Sequence, residues 1–193
     1  KNKEINEIFK TLSFDNAIYF ACNSGIFRYQ NDTIEAVIGF SDSTLIDAFQ
    51  VVNGELLYWE DANGLGKIKG LKSKIFYNDK KTRSVTSIEF IDNNFTLFGK
   101  FGAKVIRKPQ QFHSSKKILA QASVTTTLKL NEENYLIGTK NNGLYLMDSK
   151  GNLKKNLNTK NSLQDNFIRN LFQDKSGNIW IAYNNGIGLL KWK

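Results

Sequence analysis

A polar turn closed by glycine recurs along this chain, each time after a short apolar run. The segments are Ile18 to Gly25, Leu57 to Gly64, Thr96 to Gly102, Leu136 to Gly143 and Trp180 to Gly186. Their closing glycines are separated by 39, 38, 41 and 43 residues. A period of about 40 with several short strands per unit is the signature of a propeller blade, not of a helical solenoid. The cleanest copy begins at Asn161. There a turn over Asp174-Lys-Ser-Gly-Asn178 separates Phe167 to Phe172 from Ile179 to Ala182, and Asn184-Asn-Gly186 reverses the chain into Leu189 and Leu190.

Two stretches compete with this reading. Ile5, Ile8, Phe9 and Leu12 have helical spacing, as do Leu163, Phe167, Ile168, Leu171 and Phe172. The corresponding places in other copies, Val85 to Ile91 and Val124 to Leu130, are rich in β-branched residues. Equivalent positions in a repeat share one structure, so strand is expected throughout. Fourteen Phe, seven Tyr and three Trp against one Pro also suit pleated, half-buried sheets.

The expected fold is therefore all-β, a β-propeller with about five four-stranded blade repeats. Their approximate bounds are 5–39, 45–79, 85–121, 124–158 and 163–193, within one propeller segment over 1–193. The fourth strand of the third repeat is expected near Lys117 to Gln121, after an irregular Pro109 to Ser115 segment. The last repeat stops after its third strand. Bare strand edges are avoided in natural sheets, so this segment is expected to belong to a larger propeller of six to eight blades.

The net charge of +9 raises nucleic acid as a partner. Lys is scattered over nearly every turn, however, and the four Arg (Arg28, Arg83, Arg107, Arg169) form no stripe that could follow a phosphate backbone. No nucleic-acid partner is expected. Cys22 is alone and has strand neighbours, which points to packing. A single histidine, His113, cannot build a multi-histidine zinc site, and it reads as a solvated loop residue. Glu132-Glu133 occupies a turn. No glycine-rich phosphate loop occurs, so neither cofactor nor metal is expected. No apolar run is long enough to span a bilayer. A membrane would be reached only through domains outside this chain.

Leu163 to Ile187 closely resembles the two-component regulator propeller repeat, with its Leu, polar residues, strand, Asp-x-x-Gly-Asn-Leu-Trp-Ile-Gly-Thr and Asn-Gly-Leu. Tyr135 to Leu144 matches the second half. The first three copies share the layout without the Trp-x-Gly-Thr wording. The resemblance implies an extracytoplasmic ligand-sensing region of a hybrid histidine kinase or related regulator, in the periplasm or at the cell surface. It also implies oligosaccharides among the ligands to expect, and leaves a homodimer open. Two rivals stand beside it: a surface propeller serving type IX secretion or adhesion, and a propeller lyase or glycosidase. A sialidase would need an arginine cluster and a Tyr-Glu pair, and four dispersed Arg speak against it.

Trp180 is read as structural, a ring wedged between blades. Asp174, Gly177 and Gly186 are read as turn residues. In a propeller the turns between second and third strands share a face with the connections between blades, and this face usually binds partners. The expected ligand contacts are thus Asp61, Lys100, Asn141 and Asn184 from the turns, and Arg83, Asp165 and Asn166 from the connections. Asp42, equivalent to Asp165, belongs to the same set, and for this pair a capping role competes with ligand contact. Trp59, one position off the place of Trp180 and followed by Glu60-Asp61, is weighed between packing and ligand contact.

Overall fold

The computed structural model of the protein describes residues 7–22, 25–39, 45–61, 63–79, 81–106, 119 and 122–192, and residues 112–113 by their backbone. Among these residues the chain forms five antiparallel sheets, each a blade with its strands in sequence order. Blade 1 comprises β1 (Ile8–Phe14), β2 (Ala17–Cys22), β3 (Gly25–Gln30) and β4 (Thr33–Gly39). Blade 2 comprises β5 (Ile46–Val52), β6 (Glu55–Glu60), β7 (Gly64–Lys69) and β8 (Lys72–Tyr77). Blade 3 comprises β9 (Val85–Ile91), β10 (Asn94–Gly99), β11 (Gly102–Ile106) and β12 (Phe112–His113). Blade 4 comprises β13 (Val124–Lys129), β14 (Asn134–Thr139), β15 (Leu144–Asp148) and β16 (Leu153–Leu157). Blade 5 has three strands, β17 (Ile168–Gln173), β18 (Ile179–Tyr183) and β19 (Ile187–Leu190).

Local chemistry explains the hairpins. Asp15-Asn16, Asn31-Asp32, Asn53-Gly54 and Asp92-Asn93 all hold two successive positive φ angles, between 50° and 71°. Two-residue hairpins need this conformation because it matches the twist of the flanking strands, and Asn, Asp and Gly adopt it at least cost. The described part of the first helix-like stretch, from Ile8, and the second from Ile168 are extended. β1 and β17 are strands, since the pairing partner decides where periodicity is ambiguous.

The innermost strands of blades 1, 2, 4 and 5 carry the same register slip, between Ile8 and Lys10, Ile46 and Ala48, Val124 and Thr126, and Ile168 and Asn170. The slip fixes which residues of the repeats correspond. Trp180 pairs with Phe172 and Leu189, and the matching residue of blade 4 is Leu136, paired with Leu128 and Leu146. In blade 2 it is Leu57, so Trp59 stands two positions away from the Trp180 place and not one. The turn of blade 2 is one residue longer, and counting back from its glycine hides the offset.

The chain divides into two compact units, residues 1–85 and 86–193. In the first, Tyr19, Ala21 and Ile26 of blade 1 pack with Ile46, Phe49, Leu56, Tyr58 and Ile68 of blade 2. In the second, blade 4 is used on both faces. Tyr135, Ile137, Tyr145 and Met147 of blade 4 pack with Ile91, Phe98 and Ala103 of blade 3. Leu136 and Leu144, from the opposite face of blade 4, pack with Ile168, Leu171, Ile179, Ile181 and Tyr183 of blade 5. Alternation along each strand puts these sets on opposite faces. Burying a Leu side chain contributes about 1.5–3 kcal/mol.

Hydroxyls tie neighbouring inner strands together. Thr86 Oγ1 lies 3.1 Å from the carbonyl of Val124, its counterpart Thr125 donates to the carbonyl of Ile168, and Tyr135 donates to the carbonyl of Phe90 at 2.9 Å. Glu89 is buried among them, accepting from Ser87 and Thr127. Burial pushes its carboxyl above the usual Glu range, and the two hydroxyls only partly offset this.

Three expectations are corrected. The strand that pairs with β11 of blade 3, at Val105 and Ile106, is Phe112–His113; of Lys117 to Gln121, where it was expected, only Leu119 lies within the described residues. His113 therefore lies in a strand by its backbone, not in a loop. Leu119 and Ala122 are buried in the core between blades 3 and 4. Trp180 is not wedged among the described residues: it is 43% exposed. It remains tied to its turn, donating from Nε1 to Asp174 Oδ2 at 3.0 Å.

Candidate functional site

The turns between second and third strands and the connections between blades supply two polar clusters, one in each unit. In the first, Asp61 follows β6 and Arg83 lies in the connection to β9. Arg83 Nε stands 3.6 Å from Asp61 Oδ2. Both groups are partly exposed, so the pair contributes at most about 1 kcal/mol. The other carboxylate oxygen, Asp61 Oδ1, is buried without a hydrogen-bond partner among the described residues. The cluster thus combines a half-exposed guanidinium with unused acceptor capacity. The connection is shaped by Asp79, whose Oδ1 accepts from the amides of Lys81 (2.9 Å) and Thr82 (3.3 Å). Trp59 takes no part. It is fully buried, so direct ligand contact through its ring is ruled out in favour of packing.

The second cluster spans the 140–143 and 184–186 turns and the connection between blades 4 and 5. Asp165 Oδ1 accepts from the amide of Phe167 (3.0 Å), the side-chain-to-backbone turn expected of Asp. Asn166 is fixed three times. Its Oδ1 accepts from the Thr159 amide (2.9 Å), its Nδ2 donates to Thr159 Oγ1 (3.2 Å), and its carbonyl accepts from the Gly143 amide (3.0 Å). The same geometry fixes Asn184, whose amide donates to the carbonyl of Phe167 (3.0 Å) and whose Oδ1 accepts from Arg169 Nη2 (2.6 Å). Asn141 and Lys100 are exposed in their turns. Asp42 lies outside the described residues.

Three residues of this cluster were not expected from sequence. Phe167 carries cations beside its ring, Arg169 at 5.0 Å and Lys140 at 5.9 Å. Phe167 lies just before β17 and Arg169 in its register slip, and the guanidinium reaches back over the ring. Neither the slip that turns Arg169 onto Phe167 nor the approach of Lys140 from another turn is readable from spacing. Arg169, stacked on one side and bonded to Asn184, presents its remaining N–H groups in a fixed direction. Such a surface can recognise hydroxyls, carbonyls or carboxylates. Among the described residues no group of three or more His, Cys, Asp or Glu converges as a metal site. No helix among them is long and apolar enough to cross a membrane.

On the other side of the second unit, a cavity of about 90 Å³ opens beside the 92–94 and 150–151 turns, lined by Ile91, Thr96, Phe98, Leu119 and Met147 among others.

The turn that anchors Trp180 decides the relationship. Asp174 Oδ1 accepts from the amides of Ser176 and Asn178, both at 2.9 Å, and Oδ2 accepts from the Asn178 side chain at 3.0 Å. Residues 162–185, which contain this turn, match the family model described as two component regulator propeller. Blade 5 is a two component regulator propeller repeat. The repeat's Asp, Gly-Asn and Trp are thus the residues that build one hydrogen-bonded turn. A comparison with curated proteins returns no match.

Solved structures share the architecture in which this repeat sits. The chain is similar over 95% of its length to the extracellular domain of a protein assigned as a hybrid two component system of B. thetaiotaomicron, at 18% identity and a TM-score of 0.68. Over its full length it is similar to that of a one component system of the same organism, at 17% identity and a TM-score of 0.72. It covers 26% and 28% of those two domains, about a quarter of their length. A catalytically inactive virginiamycin B lyase from Staphylococcus aureus, with quinupristin, is similar over 98% of the chain and 68% of the lyase, at 15% identity and a TM-score of 0.74. At these identities the likeness shows the propeller fold.

Proposed function

We propose that residues 1–193 form a non-enzymatic, ligand-sensing propeller segment of an extracytoplasmic two component regulator, in the periplasm or at the cell surface. The observation that carries this reading is the regulator propeller repeat at 162–185, joined to a polar face whose side chains are held in place before any ligand arrives. Pre-ordered donors and acceptors lose little freedom on binding, which favours recognition. The ligand class is a neutral or weakly acidic oligosaccharide, whose hydroxyls match Arg169, Asn184 and Asn141 of the second unit. Ligand bound at this face shifts the populations of linked signalling states. The similar extracellular domains of a two component and a one component system support the location.

A thermal-shift screen of the intact protein against a panel of neutral and acidic oligosaccharides tests this. At a ligand concentration of a hundred times Kd, stabilisation by about 2.7 kcal/mol is expected. No shift with any member of the panel contradicts the reading. The similarity to virginiamycin B lyase over 98% of the chain favours catalysis as the second reading. Conversion of quinupristin by the intact protein, followed chromatographically, would establish it.

A further inference from the structure

One place in the repeat carries a large side chain in every blade except blade 3. It is the residue of the second strand that pairs with the third residue after the closing glycine. Tyr19, Leu57, Leu136 and Trp180 hold it in blades 1, 2, 4 and 5, paired with Arg28, Lys67, Leu146 and Leu189. In blade 3 the residue is Thr96, paired with Val105.

The room that a larger residue would take is left open. Thr96 lines the cavity of about 90 Å³, together with Phe98, Val105, Leu119 and Met147. Protein interiors close over voids where they can, because empty space forfeits contacts. Here two hydrogen bonds hold the walls in place. The Asp92 amide donates to the Ser149 carbonyl at 2.9 Å, and Tyr135 donates to the carbonyl of Phe90 at 2.9 Å. Thr96 is 4% exposed, and its buried hydroxyl has no hydrogen-bond partner among the described residues. A buried polar group left unmet is rare.

Blade 1 shows what suits this place. Tyr19 is buried there, and its hydroxyl donates to the carbonyl of Gly70, in the turn between β7 and β8 of blade 2, at 3.3 Å. The turn that corresponds for Thr96, between β15 and β16 of blade 4, contains Gly151, which also lines the cavity. We propose that the cavity is a binding site for a small phenol, its ring in the place that the Tyr19 ring holds in blade 1 and its hydroxyl at the 150–151 turn. Benzene enters an engineered apolar cavity of about 150 Å³; the smaller space here takes the ring and leaves the polar end at the mouth. The negative face of the ring accepts from the Thr96 hydroxyl, which an aliphatic body of the same size cannot do. A sugar is excluded, because its hydroxyls would be stranded against Phe98, Leu119 and Met147.

Titration of the intact protein with phenol, followed by amide NMR, tests this. Shifts are expected at residues 91–98, 103–105 and 147–151, with a Kd of about 1 mM. Cyclohexanol should bind about threefold or more weakly, since it lacks the ring face. Thr96→Leu, which installs the residue of blades 2 and 4, should keep the fold and weaken phenol binding about tenfold or more by filling the cavity. The absence of shifts at these residues up to about twenty times the expected Kd overturns the proposal. Cyclohexanol binding as tightly as phenol overturns it too, as does an unchanged phenol affinity in Thr96→Leu. A Thr96→Leu variant that cannot fold counts against it equally, because the cavity would then have no room for a leucine. The outcome is independent of whether the 140–143 and 184–186 turns bind an oligosaccharide.

Discussion

Trp180 donates its indole N–H to Oδ2 of Asp174 across 3.0 Å while 43% of the residue stays exposed. The bond makes the aspartate the hub of the Asp174 to Asn178 turn. Hydrogen bonds from the Asn178 side chain and then the Trp180 indole hold the Asp174 carboxyl below the usual range. A carboxyl depressed in the folded state contributes stability above its unfolded pKa, and that contribution is lost as pH falls through the folded value. Trp180→Phe should therefore move the Asp174 titration toward the ordinary range. The measurement is an NMR pH titration of the carboxyl below pH ~4; an unchanged midpoint would show that the indole bond does not form in solution.

Glu89 predicts the opposite sign. Its carboxyl is raised by burial, so the folded state binds a proton more readily than the unfolded chain. Stability contributed by this site falls as pH rises from the ordinary Glu range to the raised value. Glu89→Gln keeps an oxygen for Ser87 and Thr127 and removes the charge. It should stabilise the protein at pH ~7 by about 1 kcal/mol and flatten the pH slope. Urea unfolding at two pH values checks this, and a destabilised variant would show that the charged form is the one the site prefers.

Leu136 tests the packing of blade 4 on blade 5. It is fully buried against that blade, so Leu136→Ala should cost about 2–5 kcal/mol in denaturant unfolding. A cost under about 1 kcal/mol would mean that the two blades do not share a core.

Gly138 and Thr139 give a paired prediction. A Cβ at Gly138 would stand 2.7 Å from Thr126 Cγ2 and 2.8 Å from Ile168 Cγ2, so Gly138→Ala should cost about 1–3 kcal/mol. Thr139 Oγ1 donates to the Gly143 carbonyl (2.8 Å) and accepts from the Asn142 amide (3.0 Å). Thr139→Val strands the Asn142 amide and leaves the Gly143 carbonyl only the Thr139 backbone N–H (3.1 Å), so it should cost about 1–3 kcal/mol. Thermal melts of the two variants check both numbers.

The blade pattern was legible because its signals are local. Asn53-Gly54 requires positive φ wherever it occurs, and the closing glycines mark one place in each repeat. What was not legible depends on partners distant in sequence. β12 is two residues long and follows no hydrophobic alternation, so its pairing with Val105 and Ile106 outweighs any propensity. Counting back from the closing glycine puts Trp59 one position from the Trp180 place, and only the strand register reveals that the turn after it is a residue longer than that of blade 5. The exposure of Trp180 depends on what covers the far face of blade 5, and no periodicity reports that. In the candidate site, Asp165 and Asn184 were visible as turn residues, whereas the Lys140–Phe167–Arg169 stack needs two turns brought together.

The central claim is that the face carrying the 140–143 and 184–186 turns binds ligand. The most direct test is difference hydrogen exchange of the intact protein with and without the oligosaccharide that gives the largest thermal shift. Slowed exchange is predicted in these two turns and in the 158–167 connection, and it should be lost in Arg169→Ala. Slowed exchange confined to the 92–94 and 149–151 turns, beside the cavity on the opposite side, would contradict the account.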